Sequence, residues 1–182
     1  MNILDMMLSG QNGNQVQQLA RNFGIGEGQA QAVLTKMVPA LTQGVKKNIA
    51  SESGLDGLLR ALQNGGHQKY VDQPESLTDS QAAVDGNGIL GHILGSKDVS
   101  RALADRASDT TGLGSDMLKK MLPVVASMMM GSLSKQASSG GLSEQRAASS
   151  ADMPGMLAGL LDADKDGSVV DDLLGMAGKF FR

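Results

Sequence analysis

An all-α fold is what this chain of 182 residues predicts, and three observations carry the prediction. Apolar residues recur at helical spacing through most of the chain, glycines fall where helices should stop, and no segment alternates like a half-buried strand. The composition adds a constraint on the core. One Tyr, three Phe and no Trp leave few rings, so twelve Met with abundant Leu and Ala must fill it. Met is unbranched and adaptable, which suits irregular gaps between helices. A compact chain of 18.8 kDa buries roughly 70% of its unfolded surface, enough for a true core.

The elements follow in order. Val16, Leu19, Ala20 and Phe23 share one helix face, with Asn14 placed as N-cap and Gly24 as C-cap. A second helix runs from about Gly28 to Lys36 or beyond, with Ala30, Val33 and Met37 inward. Pro39 then either kinks it or opens a new helix through about Ile49, since proline is tolerated in a first turn but not in an interior. Leu55, Leu58, Leu59 and Leu62 mark the next helix, closed by Asn64-Gly65-Gly66. Residues 67–79, with Gln73-Pro74, read as a connector. Ile89, Leu90, Ile93 and Leu94 form a short apolar helix ended by Gly95. Ser96 caps one that buries Val99, Leu103 and Ala107, and Ser115 caps a long Met-rich one through about Gln136. Ser138–Asp152 is rich in Ser, Gly and Ala and reads as a linker. A short helix from Pro154 to Leu161 and a last one from about Val169 to Phe181 complete the chain.

The chain also repeats itself. Leu19-Ala20 and Leu103-Ala104 stand 84 residues apart, as do Leu34-Thr35-Lys36-Met37-Val38-Pro39 and Leu118-Lys119-Lys120-Met121-Leu122-Pro123. Between these anchors Gly24-Ile25-Gly26 comes four residues earlier in its copy than Gly112-Leu113-Gly114. That offset is about one helical turn, as if a turn of chain had passed from one helix to its neighbour. The organisation expected is a helical domain at 1–137 with halves at about 14–65 and 86–137, a linker at 138–153, and an acidic module at 154–182. The halves carry a helix-turn-helix pattern.

The run from Asp85 to Asp98 (DGNGILGHILGSKD), with Thr111-Gly112-Leu113, Met121-Leu122-Pro123 and Gly131-Ser132-Leu133, resembles the bacterial domain-of-unknown-function 937 family. The resemblance covers roughly residues 15–140. It implies a helical protein, with a homeodomain-like arrangement in the YidB-like branch, and it brings no activity with it.

Charge and chemistry exclude more than they assign. The formal net charge is −3, split between a mildly basic stretch over residues 1–70 and an acidic remainder. Neither matches the dense basic footprint from which phosphate binding draws its affinity. Zero Cys removes disulfides, thiolate metal sites and a thiol nucleophile, and two His leave little for acid–base work. Met1–Leu8 lacks the pattern of a signal peptide, and the most apolar run, Met121–Leu133, is shorter than the ~20 residues of a membrane span. A cytoplasmic protein without a membrane span is expected.

Five motifs bear on function. Leu19–Ile25 with Ala30 and Val33 fits a helix-turn-helix core, which makes nucleic-acid binding through residues 15–47 the alternative function. Its readout positions are thin: Glu27, Gln29, Gln31 and Lys36, with Arg21, Lys46 and Lys47 nearby. Gly86-Asn87-Gly88-Ile89-Leu90-Gly91 is a literal G-x-G-x-x-G without the preceding strand a dinucleotide site needs; it reads as a loop and short helix, with Gly88, Gly91 and Gly95 allowing close helix contact. Ser132 and Lys135 have S-x-x-K spacing without the partner elements of acylating enzymes. Met117, Met121, Met128, Met129 and Met130 are core, or else a surface for a partner or for self-association. The sharpest signal is Asp162, Asp164 and Asp166 at alternate positions, Gly167 at the turn, Ser168 offering its carbonyl and Asp171 closing a shortened loop. That arrangement suits a hard cation, and weak calcium binding is expected there. Leu173 stands where an EF-hand has its bidentate Glu, which leaves an acidic helix cap as the other reading. The expected function is a non-catalytic interaction protein without a reactive constellation.

Overall fold

The computed structural model describes residues 3–8, 13–64 and 66–139, and these fold into helices without a strand. They are α1 (Ile3–Leu8), α2 (Gly13–Phe23), α3 (Glu27–Ile49), α4 (Glu52–Asn64), α5 (Lys69–Asp72), α6 (Ser80–Leu94), α7 (Lys97–Thr111) and α8 (Ser115–Ser139), with a single 3₁₀ turn at Pro74–Thr78.

The arrangement is organised around α8. Residues 121–134 are buried without exception, so this stretch of the helix has no solvent face. A helix apolar all round belongs in an interior, and α6 and α7 pack along it most extensively, with α1, α3, α4 and α5 completing the wrap. Met121, Met128, Met129 and Met130 are all within the core. The Met-rich stretch is therefore packing, and none of those four is on offer to a partner.

Glycines set the helix ends where the sequence places them. Gly24 (φ 64°), Gly95 (φ 70°) and Gly112 (φ 69°) take the left-handed conformation that closes α2, α6 and α7. Ser96 caps α7 by accepting from the Val99 amide at 3.3 Å. Ser115 behaves differently from the expected cap: it begins α8 and donates its hydroxyl to Asp105. Asp105 also lies 3.5 Å from Lys119, so it fastens α7 to the first turn of α8.

Four expectations need correction. Pro39 opens no new helix: it lies inside the continuous α3, just as Pro123 lies inside the long α8 expected from Ser115, because tertiary burial of Met37, Val38 and Leu41 on one and of Leu122 and Val124 on the other outweighs one lost backbone bond. Residues 67–79 are structured rather than a bare connector: Tyr70, Val71 and Leu77 are buried, and Asn22 donates to the Leu77 carbonyl at 3.0 Å. The apolar helix before Gly95 starts at Ser80, so Gly86, Gly88 and Gly91 are helical and form no loop. Val99, expected inside, is 47% exposed, and Ala104 and Ala107 take the inner face of α7.

Among the α6 glycines, the one that permits close contact is Gly86. A Cβ there would stand 1.9 Å from the Pro123 carbonyl oxygen, whereas Gly88, Gly91 and Gly95 would meet nothing within 4 Å. One turn earlier, Ser127 of α8 donates to the Ala82 carbonyl at 2.7 Å. Small residues thus bring the α6 and α8 backbones together. Among the described residues no helix is long and apolar enough to cross a membrane.

Candidate functional site

A polar cluster is built where His67 and Tyr70 meet Asp85 of α6. Gly66 (φ 57°) reverses the chain beyond α4, which sends His67 and Tyr70 inward. Gly131 on α8 makes room for them, since a Cβ there would lie 2.7 Å from the His67 carbonyl oxygen. Tyr70 is fully buried and His67 is 8% exposed. Their rings stack at 24°, with centroids 6.2 Å apart.

Asp85, from the middle of α6, completes the cluster. The Tyr70 hydroxyl donates to its Oδ2 at 2.6 Å and the Gln81 amide to its Oδ1 at 2.6 Å. Lys69 Nζ lies 3.9 Å from the same Oδ2 and 4.9 Å above the Tyr70 ring. Burial alone would raise the Asp85 pKa, but the Tyr70 and Gln81 hydrogen bonds and the Lys69 cation outweigh it and hold the carboxyl below its ordinary value. Burial, then the bond to Asp85, pushes the Tyr70 phenol well above its ordinary value. Burial pushes His67 down against the pull of Asp85, with Lys69 adding to the lowering. At neutral pH the cluster therefore consists of a carboxylate, a neutral phenol and a neutral imidazole. His67 Nδ1 is buried and has no hydrogen-bond partner.

His67 and Asp85 of this cluster line a cleft of about 490 Å³ between the C-terminal part of α3, α4 and α6. Val45, Leu58, Ile89, Ile93 and Met130 make it apolar, while His67, Asp85, Asn48 and His92 mark its polar side. Asn48 ties two of the walls together, donating to the His92 carbonyl at 2.8 Å. It also explains Gly54 of α4, where a Cβ would lie 2.0 Å from the Asn48 carbonyl oxygen.

The residues singled out from the sequence are distributed differently. Asp162, Asp164, Asp166, Ser168 and Asp171 lie outside the described residues, as do the expected linker and C-terminal helices. Among the described residues no group of three or more His, Cys, Asp or Glu could hold a metal. On the helix-turn-helix segment, Arg21 bonds Gln17 at 3.4 Å, Gln17 bonds Glu27 at 3.0 Å, and Gln29 caps α3 by accepting from the Gly26 amide at 3.1 Å. Two of its readout positions, Glu27 and Gln29, and the neighbouring Arg21 are thus engaged with their own motif, and all three are exposed, as are Gln31, Lys36 and Lys47. Ser132 is buried, whereas Lys135 reaches Asp72 at 2.7 Å on the surface, so the S-x-x-K pair faces no common site. Neither Tyr70 nor Asp85 stands out in the sequence as a site residue. The one available signal was a lone Tyr in a supposed connector.

A family described as "bacterial protein of unknown function (DUF937)" matches the chain over residues 5–136. No curated protein and no solved structure matches it.

Proposed function

The chain belongs to the DUF937 family of bacterial proteins of unknown function, and within it we propose a non-catalytic interaction protein whose contact site is the cleft between α3, α4 and α6. One observation carries this reading. The cleft pairs an apolar lining with Asp85, whose two oxygens already accept from Tyr70 and Gln81. Such a site offers shape and fixed dipoles to a protein partner, or to a second copy of the chain.

Filling the cleft tests it. Gly88→Leu places a side chain where a Cβ meets nothing within 4 Å and replaces a poor helix former with a good one. The variant chain should stay folded by circular dichroism. It should lose the partners that the wild-type chain retains from a lysate of its host, or lose self-association in sedimentation velocity. An unchanged set of partners and an unchanged association state would refute the cleft as the contact site.

The halves at about 14–65 and 86–137 are part of the same proposal, as a duplicated helical unit. Supporting this, α2 and α7 each end in a left-handed glycine and each precede a long helix with an internal proline. The first helix is 11 residues in one half and 15 in the other, the difference that the shifted glycine demands.

The C-terminal loop is proposed as a weak calcium site, on spacing alone: Asp162, Asp164, Asp166 and Asp171 as carboxylates, Ser168 through its carbonyl. Calcium at tenfold excess over Kd should stabilise the full chain by about 1.4 kcal/mol, and Asp164→Ala should abolish the effect. Calorimetry without calcium heat, together with an unmoved Tm, would leave the acidic helix cap as the explanation.

A further inference from the structure

We infer that the interior of the α3–α4–α6 cleft is a site for a small neutral amphiphile, an apolar body with a hydroxyl head turned towards His67 and Asp85. The inference concerns the same cleft but goes beyond the interaction reading, and the two stand or fall separately.

Size is the first argument. A volume of about 490 Å³ falls within the ~300–1,000 Å³ of small-molecule sites, and an apolar lining with a few convergent polar groups is their usual chemistry. The glycines are the second. Gly57 in α4 and Gly88 in α6 both line the cleft, and a Cβ at either would meet nothing within 4 Å. Helix interiors disfavour glycine relative to alanine, and the neighbours of these two give no packing reason for it. Gly54 and Gly86 are different, because a backbone carbonyl occupies the space beside each. What Gly57 and Gly88 provide is room inside the cleft.

The third argument is His67. Its side chain lines the cleft, the residue is 8% exposed, and its Nδ1 is paired with nothing. A buried polar nitrogen left unpaired costs free energy that a ligand's hydrogen bond would recover.

The charges choose the head group. The groups facing His67 are Asp85 and Lys69, with the Tyr70 ring stacked against it. A carboxylate head would meet the Asp85 carboxylate. An ammonium would compete with Lys69 for an oxygen that Tyr70 already occupies. A hydroxyl both donates and accepts, so it pairs with either tautomer of a neutral imidazole and brings no charge into the cleft.

Decanol, decanoate and decylamine are the probes, titrated into the full chain with thermal unfolding and the His67 ring resonances as readouts. Decanol should raise Tm and shift the His67 resonances, with decanoate at least tenfold weaker. Gly88→Leu and Gly57→Leu should each keep or raise Tm without ligand and lose the decanol response. His67→Phe should keep the fold and reduce the preference for decanol over decanoate. The proposal is overturned by an absent decanol response, by a response that survives both leucine variants, or by equal responses to all three heads. Failure of both leucine variants to fold would also overturn it, since the space would then not be open. Partner retention by Gly88→Leu is read separately. Lost partners without a decanol response would sink the ligand and keep the interaction reading. A decanol response with partners retained would do the reverse.

Discussion

Gly86→Ala should destabilise the chain by about 3 kcal/mol or more, the upper part of the range for forcing extra atoms into a packed core. The added Cβ would stand 1.9 Å from the Pro123 carbonyl oxygen, 2.4 Å from its carbonyl carbon and 2.8 Å from its Cα. None of these atoms ends a flexible side chain. Relief requires α6 and α8 to move apart, and that separation also strains the Ser127 bond to the Ala82 carbonyl one turn away. The contact joins the central helix to the neighbour it packs most extensively against, so the loss spreads through the core. Gly88→Ala, two residues along the same helix, meets nothing within 4 Å and should stabilise by about 1 kcal/mol through helix propensity alone. Urea midpoints for the two variants are the measurement. Shifts in the same direction would show that propensity, rather than the α6–α8 contact, governs this helix.

That contrast explains how far the sequence could be read. Helices with a clean apolar period and a glycine stop, such as α2 with Val16, Leu19 and Ala20 before Gly24, were legible because local spacing and burial agree. In α6 they conflict. Gly86, Gly88 and Gly91 lower local helix propensity, and the helix forms because Ala82, Gly86, Ile89 and Leu90 are buried against its neighbours. Pro39 is the same case, since a helix whose face is buried on both sides of a proline runs through it. Residues 67–79 looked like a connector because two short turns carry no period at all. Their order comes from Tyr70 and Leu77, whose partners lie elsewhere in the chain. The cleft was illegible for a related reason. His67, Tyr70 and Asp85 meet only when α5 packs on α8 and the Tyr70 hydroxyl reaches Asp85 of α6, and no spacing rule encodes that contact. The sequence reading turned instead to residues 162–171, where the motif is local.

Acid should weaken the fold in two stages, and the Tyr70–Asp85 bond sets the size of the second. His67 is held below its ordinary pKa of 6.5 by burial. As pH falls through 6.5 the unfolded chain takes up a proton that the folded chain refuses, so stability declines from there downwards. His67→Phe should flatten this first stage. Asp85 is held below its ordinary value of 3.8, so its contribution is complete above that pH and is lost as pH falls towards its folded value. A hydrogen bond to a charged group is worth roughly 1.5–3 kcal/mol, so Tyr70→Phe should cost about 2 kcal/mol at neutral pH. The ring and its stacking on His67 remain, and only the donor to Asp85 is gone. The difference between wild type and Tyr70→Phe should then shrink below about pH 4 as Asp85 is protonated. Urea midpoints taken across the pH range give both stages. A difference that stays constant from neutral to acid pH would mean that the hydroxyl contributes by packing, and that Asp85 draws its low pKa from Gln81 and Lys69 instead.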